Sequence, residues 1–182
     1  MLKGERIALR PVHESDLGRL YRFHQDISSR GSYFPIGVMA EPAFQKQFRE
    51  TGFWGDHDGM LLIVGDEDEI IGHIEFFRTV PYLDELELSY HIYASEHTGK
   101  GIATEAVKLM TGYLFDRKKN NRIRLIIHPD NIASKRVAEK CGYRHEGTAR
   151  GAWFHQGRSQ DVEVYAMLRD EFYASINNMK FA

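Results

Sequence analysis

Thr98-Gly99-Lys100-Gly101-Ile102-Ala103 stands where a strand hands over to a long helix, and the reading of the whole chain turns on it. Upstream, residues 86–93 read as a strand. Downstream, Ile102, Ala106, Val107, Met110, Tyr113 and Leu114 recur at steps of three and four, so the spacing predicts an amphipathic helix over 101–115. Glycines in such a turn let backbone amides approach a ligand closely. The first helical turn adds unpaired N–H groups and the positive end of the helix dipole. The loop can therefore hold a pyrophosphate with few cationic side chains. A Gly-Lys-Gly turn also serves as a plain helix cap, and spacing alone does not choose between the two. It is not a Walker loop, because no Gly-Lys-Ser/Thr follows a four-residue gap. Its place after antiparallel strands also excludes a dinucleotide fingerprint.

Working outward, residues 5–10 alternate apolar and charged side chains as a strand does. Ser15-Asp16 open a helix carrying Leu17, Leu20, Tyr21 and His24. Residues 31–37 form a loop, and Pro42 suits the first turn of a helix with Phe44 and Phe48 on one face. Residues 60–64 and 70–78 read as a hairpin around the turn 65–68. After the long helix come a short strand at 122–127, a helix at 130–140 stopped by Gly142, and two late strands around Gln156-Gly157-Arg158. The order is α+β with mixed strand directions. Asn131-Ile132-Ala133-Ser134 opens the 130–140 helix. Its Asn and Ser can donate into a cleft or cap the helix.

Composition sets the class. The chain has 182 residues, 42% hydrophobic and 27% charged, without repeats or linkers, which fits one domain over 1–182. The net charge of −2 leaves no global positive field for nucleic acid or anionic membrane. The apolar runs fall well short of the ~20 residues a membrane span needs, and the first residues carry no signal-peptide core. A single cysteine, Cys141, forms no intramolecular disulfide, so a reducing, cytoplasmic setting is expected.

Nine histidines follow no H-E-x-x-H or Cys/His spacing, so no metal site is expected. His73 and His91 fall on the strands read at 70–78 and 86–93, as a base, a substrate contact or a packed ring. His128 reads as a packed ring and Cys141 as a small buried hydrophobe. Arg117-Lys118-Lys119 reads as favourable charge at a helix C-terminus. Tyr33, Phe34, Phe53 and Trp54 are either a substrate wall or ordinary core.

Taken together, six ordered blocks resemble the GNAT acetyltransferase superfamily, and within it the ribosomal-protein N-terminal acetyltransferase branch. They are Leu9-Arg10-Pro11 with Ser15-Asp16-Leu17; Glu87-Leu88-Ser89-Tyr90; Gly99-Lys100-Gly101-Ile102-Ala103-Thr104-Glu105-Ala106; His128-Pro129-Asp130-Asn131-Ile132-Ala133-Ser134; Glu139-Lys140-Cys141-Gly142-Tyr143 with Glu146-Gly147; and Gly157-Arg158, Asp161, Tyr165, Met167 and Leu168. The resemblance implies a mixed, mostly antiparallel central sheet flanked by helices and splayed between the strands at 86–93 and 122–127. It implies acetyl-CoA as cofactor. The pyrophosphate would lie on amides of Thr98, Gly99, Lys100, Gly101, Ile102 and Ala103, and the pantetheine arm on the backbone of Ile92, Tyr93 and Ala94 and on Asn131. Ser134 is implied as proton donor to the leaving thiolate, in place of a Tyr that many members carry where this chain has Ala138. Some of the branch place a Glu where this chain has Trp153, which leaves Glu87 as the carboxylate that takes the amine's proton or else pairs with a cation. Thr98 replaces a Gln or Arg common in the family. The implied acceptor is a primary amine, a protein N-terminal α-amine first and a small amine (a polyamine, antibiotic or toxin) second. A non-catalytic acyl-CoA-binding module is the reading from another class. The resemblance and the late strands allow a homodimer.

Overall fold

Apolar residues at every second position of the middle strands drive the sheet together, and helices close both of its faces. The computed structural model describes residues 1–35 and 37–179. Strands β1 (Leu2–Lys3) and β2 (Ala8–Arg10) lead to helices α1 (Leu17–Gln25) and α2 (Glu41–Thr51). Strands β3 (Asp58–Val64), β4 (Ile70–Phe77) and β5 (Glu85–Ile92) form a meander, and α3 (Ile102–Arg117) follows. Then come β6 (Arg122–Ile127), α4 (Ile132–Lys140), β7 (Arg144–His155), β8 (Arg158–Leu168) and α5 (Arg169–Met179). The eight strands lie in the order β1-β2-β3-β4-β5-β6-β8-β7. Neighbours are antiparallel except β5 and β6, which run parallel. This is the mixed, mostly antiparallel α+β architecture expected from the sequence.

Two differences from the sequence reading have local causes. The strand read at 5–10 is shortened to Ala8–Arg10, because Gly4–Ile7 turns back (Gly4 N–H to Ile7 O, 2.9 Å) and the amides of Glu5 and Arg6 donate to the Glu105 carboxylate of α3. A side chain at residue 4 would collide with that carboxylate. Helix α5 was not read from the sequence. Its Phe172 packs against Phe115 and Gly112 of α3, a contact no local pattern announces.

The sheet separates two cores. One joins Leu86, Leu88, Ile123 and Leu125 to Ile102, Ala106, Met110 and Leu114 of α3, with Ala138 of α4. The other joins Leu62, Val64 and Ile70 to Leu20 of α1 and Phe44 of α2, with Phe53. Among the described residues no helix is long and apolar enough to cross a membrane.

The N-terminal motif Leu9-Arg10-Pro11…Asp16 is an ion-pair lock. The Arg10 guanidinium meets Asp16 through two hydrogen bonds (2.7 and 3.1 Å) and Asp68 through two more (2.6 and 2.8 Å). Asp16 also accepts from the His13 amide at 2.8 Å. Burial works against the Asp16 carboxylate, but Arg10 and that amide outweigh it and hold its pKa below the ordinary value. This stability is therefore present above the ordinary Asp pKa and lost on acidification. Breaking a buried pair costs ~3–5 kcal/mol. Because Asp68 keeps Arg10 half-paired, Asp16→Ala is expected to lose about 2–3 kcal/mol in urea unfolding at pH 7, and less at pH 3. A loss under 1 kcal/mol would show that Asp68 alone holds the arginine.

Candidate active site

The parallel pairing of β5 with β6 covers Glu85↔Arg122, Leu86↔Ile123 and Glu87↔Arg124 and stops there. Charge fixes that end. Arg122 Nε donates to Glu85 at 2.9 Å, and Arg124 donates to Glu85 at 2.7 Å and to Glu87 at 3.0 Å. Opposite charges on facing strands hold the register where they stand. Beyond Glu87 the two strands part, while β6 stays paired to β8 through Ile127. Residues 88–92 of β5 thus keep β4 on one side and face an opening on the other.

A cavity of about 920 Å³ fills this wedge. Strand alternation gives it two chemically different sides. Leu88, Tyr90 and Ile92 pack toward α3 and α4. Glu87, Ser89 and His91 face the other way, in register with Phe77, Glu75 and His73 of β4. The loop before α2 covers this second side, with Phe34 stacked on His91 (4.6 Å).

On the helix side, Thr98, Gly99, Gly101, Ile102 and Ala103 line the cavity. Gly99 and Gly101 have φ of +72° and +85°, which only glycine adopts without strain. Gly101 is the N-cap of α3, and no side chain caps that helix. Its first amides are left to face the cavity. The space above Gly99 is open. A cradle of bare amides at a positive dipole end suits a pyrophosphate, so the site fits the carrier implied by the sequence. Lys100 is exposed and lies outside the lining.

Asn131 does both things its sequence allowed. Its Oδ1 accepts the Ser134 amide at 3.1 Å as the N-cap of α4, and its side chain also lines the cavity. Ser134, one turn into α4, lines the cavity beside Tyr90. The Tyr90 hydroxyl is buried without a well-aligned hydrogen-bond partner. Burial pushes its pKa up to about 12, and the Ser134 hydroxyl draws it the other way. Ala138 is fully buried further along α4 and offers no polar group. Cys141 is no nucleophile here: burial pushes its thiol up to about 12, and it points at Thr104 O (3.4 Å).

The backbone stretch expected to meet the carrier is unequal. Ile92 lines the cavity. The Tyr93 amide is spent on Ile71 O at 2.9 Å, its ring stacks on Phe23 at 4.0 Å, and its hydroxyl meets His73 Nδ1 at 2.7 Å. Ala94 takes the His97 amide through its carbonyl at 3.1 Å. Tyr93 and Ala94 therefore border the cavity without lining it.

On the acceptor side, burial raises the Glu87 pKa while Arg124 opposes the shift. The sequence left Glu87 open between proton acceptor and ion-pair partner, and the geometry gives it a cation. Burial lowers His73 to about 3 and His91 to about 4, with Arg30 adding to both. Both imidazoles are neutral in ordinary buffer and weakly basic. His128 is a packed ring, with Nε2 on Gln160 at 2.6 Å and its face on Tyr33 at 4.9 Å. Tyr33 and Phe34 belong to the wall, whereas Phe53 and Trp54 are core. Among the described residues no group of side chains could hold a metal ion.

Lining residues that the sequence reading does not single out include Arg30, Tyr90 and Glu75. Arg30 is buried and donates to Pro35 O (2.9 Å), Gly37 O (3.0 Å) and His24 O, fixing the covering loop. Tyr90 ends the block Glu87-Leu88-Ser89-Tyr90 and carries no separate signal in the sequence. Glu75 sits in the run Ile74-Glu75-Phe76, and strict alternation there marks a carboxylate facing away from the α3 core.

A sheet wedged open between parallel neighbours, with bare helix amides at its mouth and a serine and carboxylates inside, defines an acyltransferase. The GNAT acetyltransferase domain matches residues 6–144. The chain is 30% identical over 181 residues to the probable N-acetyltransferase YjcK of Bacillus subtilis (strain 168), covering 94% of this chain and 98% of that one. It is also 30% identical over 110 residues to the ribosomal-protein-serine acetyltransferase of Escherichia coli (strain K12), covering 60% and 61%. The spermidine N-acetyltransferase of Vibrio cholerae, solved with CoA and spermine, superposes with a TM-score of 0.79 at 20% identity over 93% of this chain and 99% of that one, a likeness of fold. The chain belongs to the GNAT acetyltransferase family, whose members acetylate amines.

Proposed function

We propose that the protein transfers an acetyl group from acetyl-CoA to a protein N-terminal α-amine. The observation that carries the reading is the wedge itself, with phosphate-suited amides of Gly99–Ala103 on one side and carboxyls on the other. When bound, acetyl-CoA supplies an activated acyl carbon and a thiolate leaving group. The protein's part is to hold and orient. Amides of the α3 turn hold the diphosphate, Ile92 and Asn131 guide the arm, and Ser134 offers its hydroxyl to sulfur. An acceptor-side carboxyl receives the proton of the ammonium, and Glu87, held by Arg124, adds negative charge beside it.

The choice of acceptor follows from acidity. An α-ammonium has a pKa of ~8 and an alkyl ammonium ~10.4. A carboxyl base therefore meets a barrier about 3 kcal/mol lower for an α-amine, and His73 and His91 are too weakly basic to help. The name of the E. coli relative gives a ribosomal protein as what it acts on, which supports a protein acceptor. Two acidic groups on the acceptor side favour a polyamine as the second reading.

Thiol release from acetyl-CoA, measured with a serine-led tetrapeptide and with spermidine, tests this. The peptide is expected to exceed spermidine at least tenfold in kcat/KM. The reverse order establishes the polyamine reading. Binding of CoA in calorimetry with no turnover on any amine makes the protein a non-catalytic carrier-binding module.

A further inference from the structure

Net acetylation of an ammonium releases one proton to solvent, and the acceptor side must provide its route. Four titratable side chains face that side from β4 and β5. His73 is engaged with Tyr93, and His91 is covered by Phe34. Glu87 is held by Arg124 through Nε and Nη2, both at 3.0 Å. Arg124 opposes what burial does to Glu87, and this carboxylate must give up its ion pair to take a proton.

Glu75 differs in each respect. It lies in register with Ser89, whose hydroxyl is its hydrogen-bonding neighbour, and with Met60 of β3. Among the described residues no Lys or Arg pairs with it. Burial and the Glu87 charge both raise its pKa, which strengthens it as a base. Together with Phe77 it lines both the main cavity and a separate pocket of about 70 Å³ shared with Gln47, Asp58 and Met60, and of the two it alone can carry a proton. That pocket has room for water, and Gln47 and Asp58 at its rim are exposed.

We propose that Glu75 takes the proton from the acceptor's ammonium and passes it to solvent through the pocket at Gln47 and Asp58. This rests on the acetyl-transfer reading and deepens it. The ammonium N–H bond breaks and its proton goes to the Glu75 carboxylate. The neutral nitrogen forms the C–N bond as the C–S bond breaks. The second proton, shed as the amide forms, goes to sulfur. Glu75 returns to the carboxylate by releasing its proton outward, so one amide, one thiol and one proton result.

The groups facing Glu75 are Ser89, Glu87 and Tyr93 of β5 and its vicinity, Asp58 of β3, and Arg124 of β6 behind Glu87. Activity is thus expected to rise with pH through the raised Glu75 pKa, since the carboxylate is the active form. In Glu75→Gln, kcat should fall about a hundredfold, with the KM for acetyl-CoA within twofold and the acid limb of the pH profile gone. Glu75→Asp should recover part of the rate. Gln47→Leu with Asp58→Leu should lower kcat severalfold and be rescued by added imidazole. Carbon-13 NMR of labelled glutamate carboxyls, with Glu75 assigned from the signal missing in Glu75→Gln, should give a titration above the ordinary glutamate range. An unaltered acid limb in Glu75→Gln overturns the assignment, and wild-type kcat in the double Leu variant overturns the exit. Failure of the acetyl-transfer reading shows separately, as a wild type inactive on every amine. The carboxyl titration still decides in that case, and an ordinary or lower value overturns the proposal.

Discussion

Replacing Gly72 by alanine is expected to destabilise the protein more than any other single methyl added to the sheet, and to weaken carrier binding with it. Gly72 lies on β4 opposite Ile92 of β5. A Cβ there would stand 2.1 Å from the His91 carbonyl oxygen and 3.2 Å from Ile92 Cα. These are backbone atoms, so no rotamer change relieves the clash. Gly59 gives the contrast: its added Cβ meets the rings of Phe76 and Trp54, which can shift. For Gly72, β5 itself must move away from β4, at the end where β5 has already lost β6. The Tyr93 amide bond to Ile71 and the Tyr93–His73 bond stretch with it. Overpacking typically costs ~1–3 kcal/mol, and a backbone clash puts Gly72→Ala at or above the upper end, about 3 kcal/mol. For a domain of this size that is a fall in Tm of roughly 6–12 °C. CoA affinity in calorimetry should drop about tenfold, because the displaced segment forms one wall of the wedge. A Tm within 2 °C of wild type would mean that β4 and β5 have slack at the opening, against the registered geometry.

Why some of this was readable and some was not follows from the range of the forces. The glycine turn at 99–101 and the start of α4 at Asn131 are local, written in residues a few positions apart, and both lie where the sequence placed them. The alternation that puts Glu87 and His91 on one side of β5 is equally local. The ionic pairs that end the β5–β6 zipper join residues 37 apart (Arg122–Glu85 and Arg124–Glu87). Their partnership depends on strand register, which the resemblance implied and no spacing determines. The same holds for Glu75, whose significance lies in its lining two cavities at once, beside Phe77. Tyr93 shows the converse. Its place in the expected pantetheine stretch was readable, but its stacking on Phe23 of α1 was not.

Ser134→Ala is expected to lower kcat by about 10²–10³-fold, with the KM for acetyl-CoA changed less than threefold. The Ser134 amide, not its hydroxyl, takes part in capping α4 through Asn131, so alanine keeps the helix start and removes only the donor. No neighbouring group replaces it. Ala138 carries no polar atom, and the Cys141 thiol is turned to Thr104. Tyr90 is expected to set how the serine is used. Its hydroxyl is buried without a well-aligned partner beside Ser134, and at a pKa of about 12 it stays protonated across working conditions. We propose that this phenol turns its hydrogen onto the serine oxygen during the reaction, which leaves the serine hydrogen to point at the departing sulfur. Tyr90→Phe should therefore cost about tenfold in kcat and leave the pH profile unmoved, since no titration in the working range is lost. Groups that act as a unit are non-additive. The double variant is expected to match Ser134→Ala alone, with Tm and CoA affinity of each variant near wild type as the control. If Ser134→Ala keeps kcat within threefold, the donor to sulfur lies elsewhere. If the two losses multiply in the double variant, the hydroxyls act on separate steps and Tyr90 does not work through the serine.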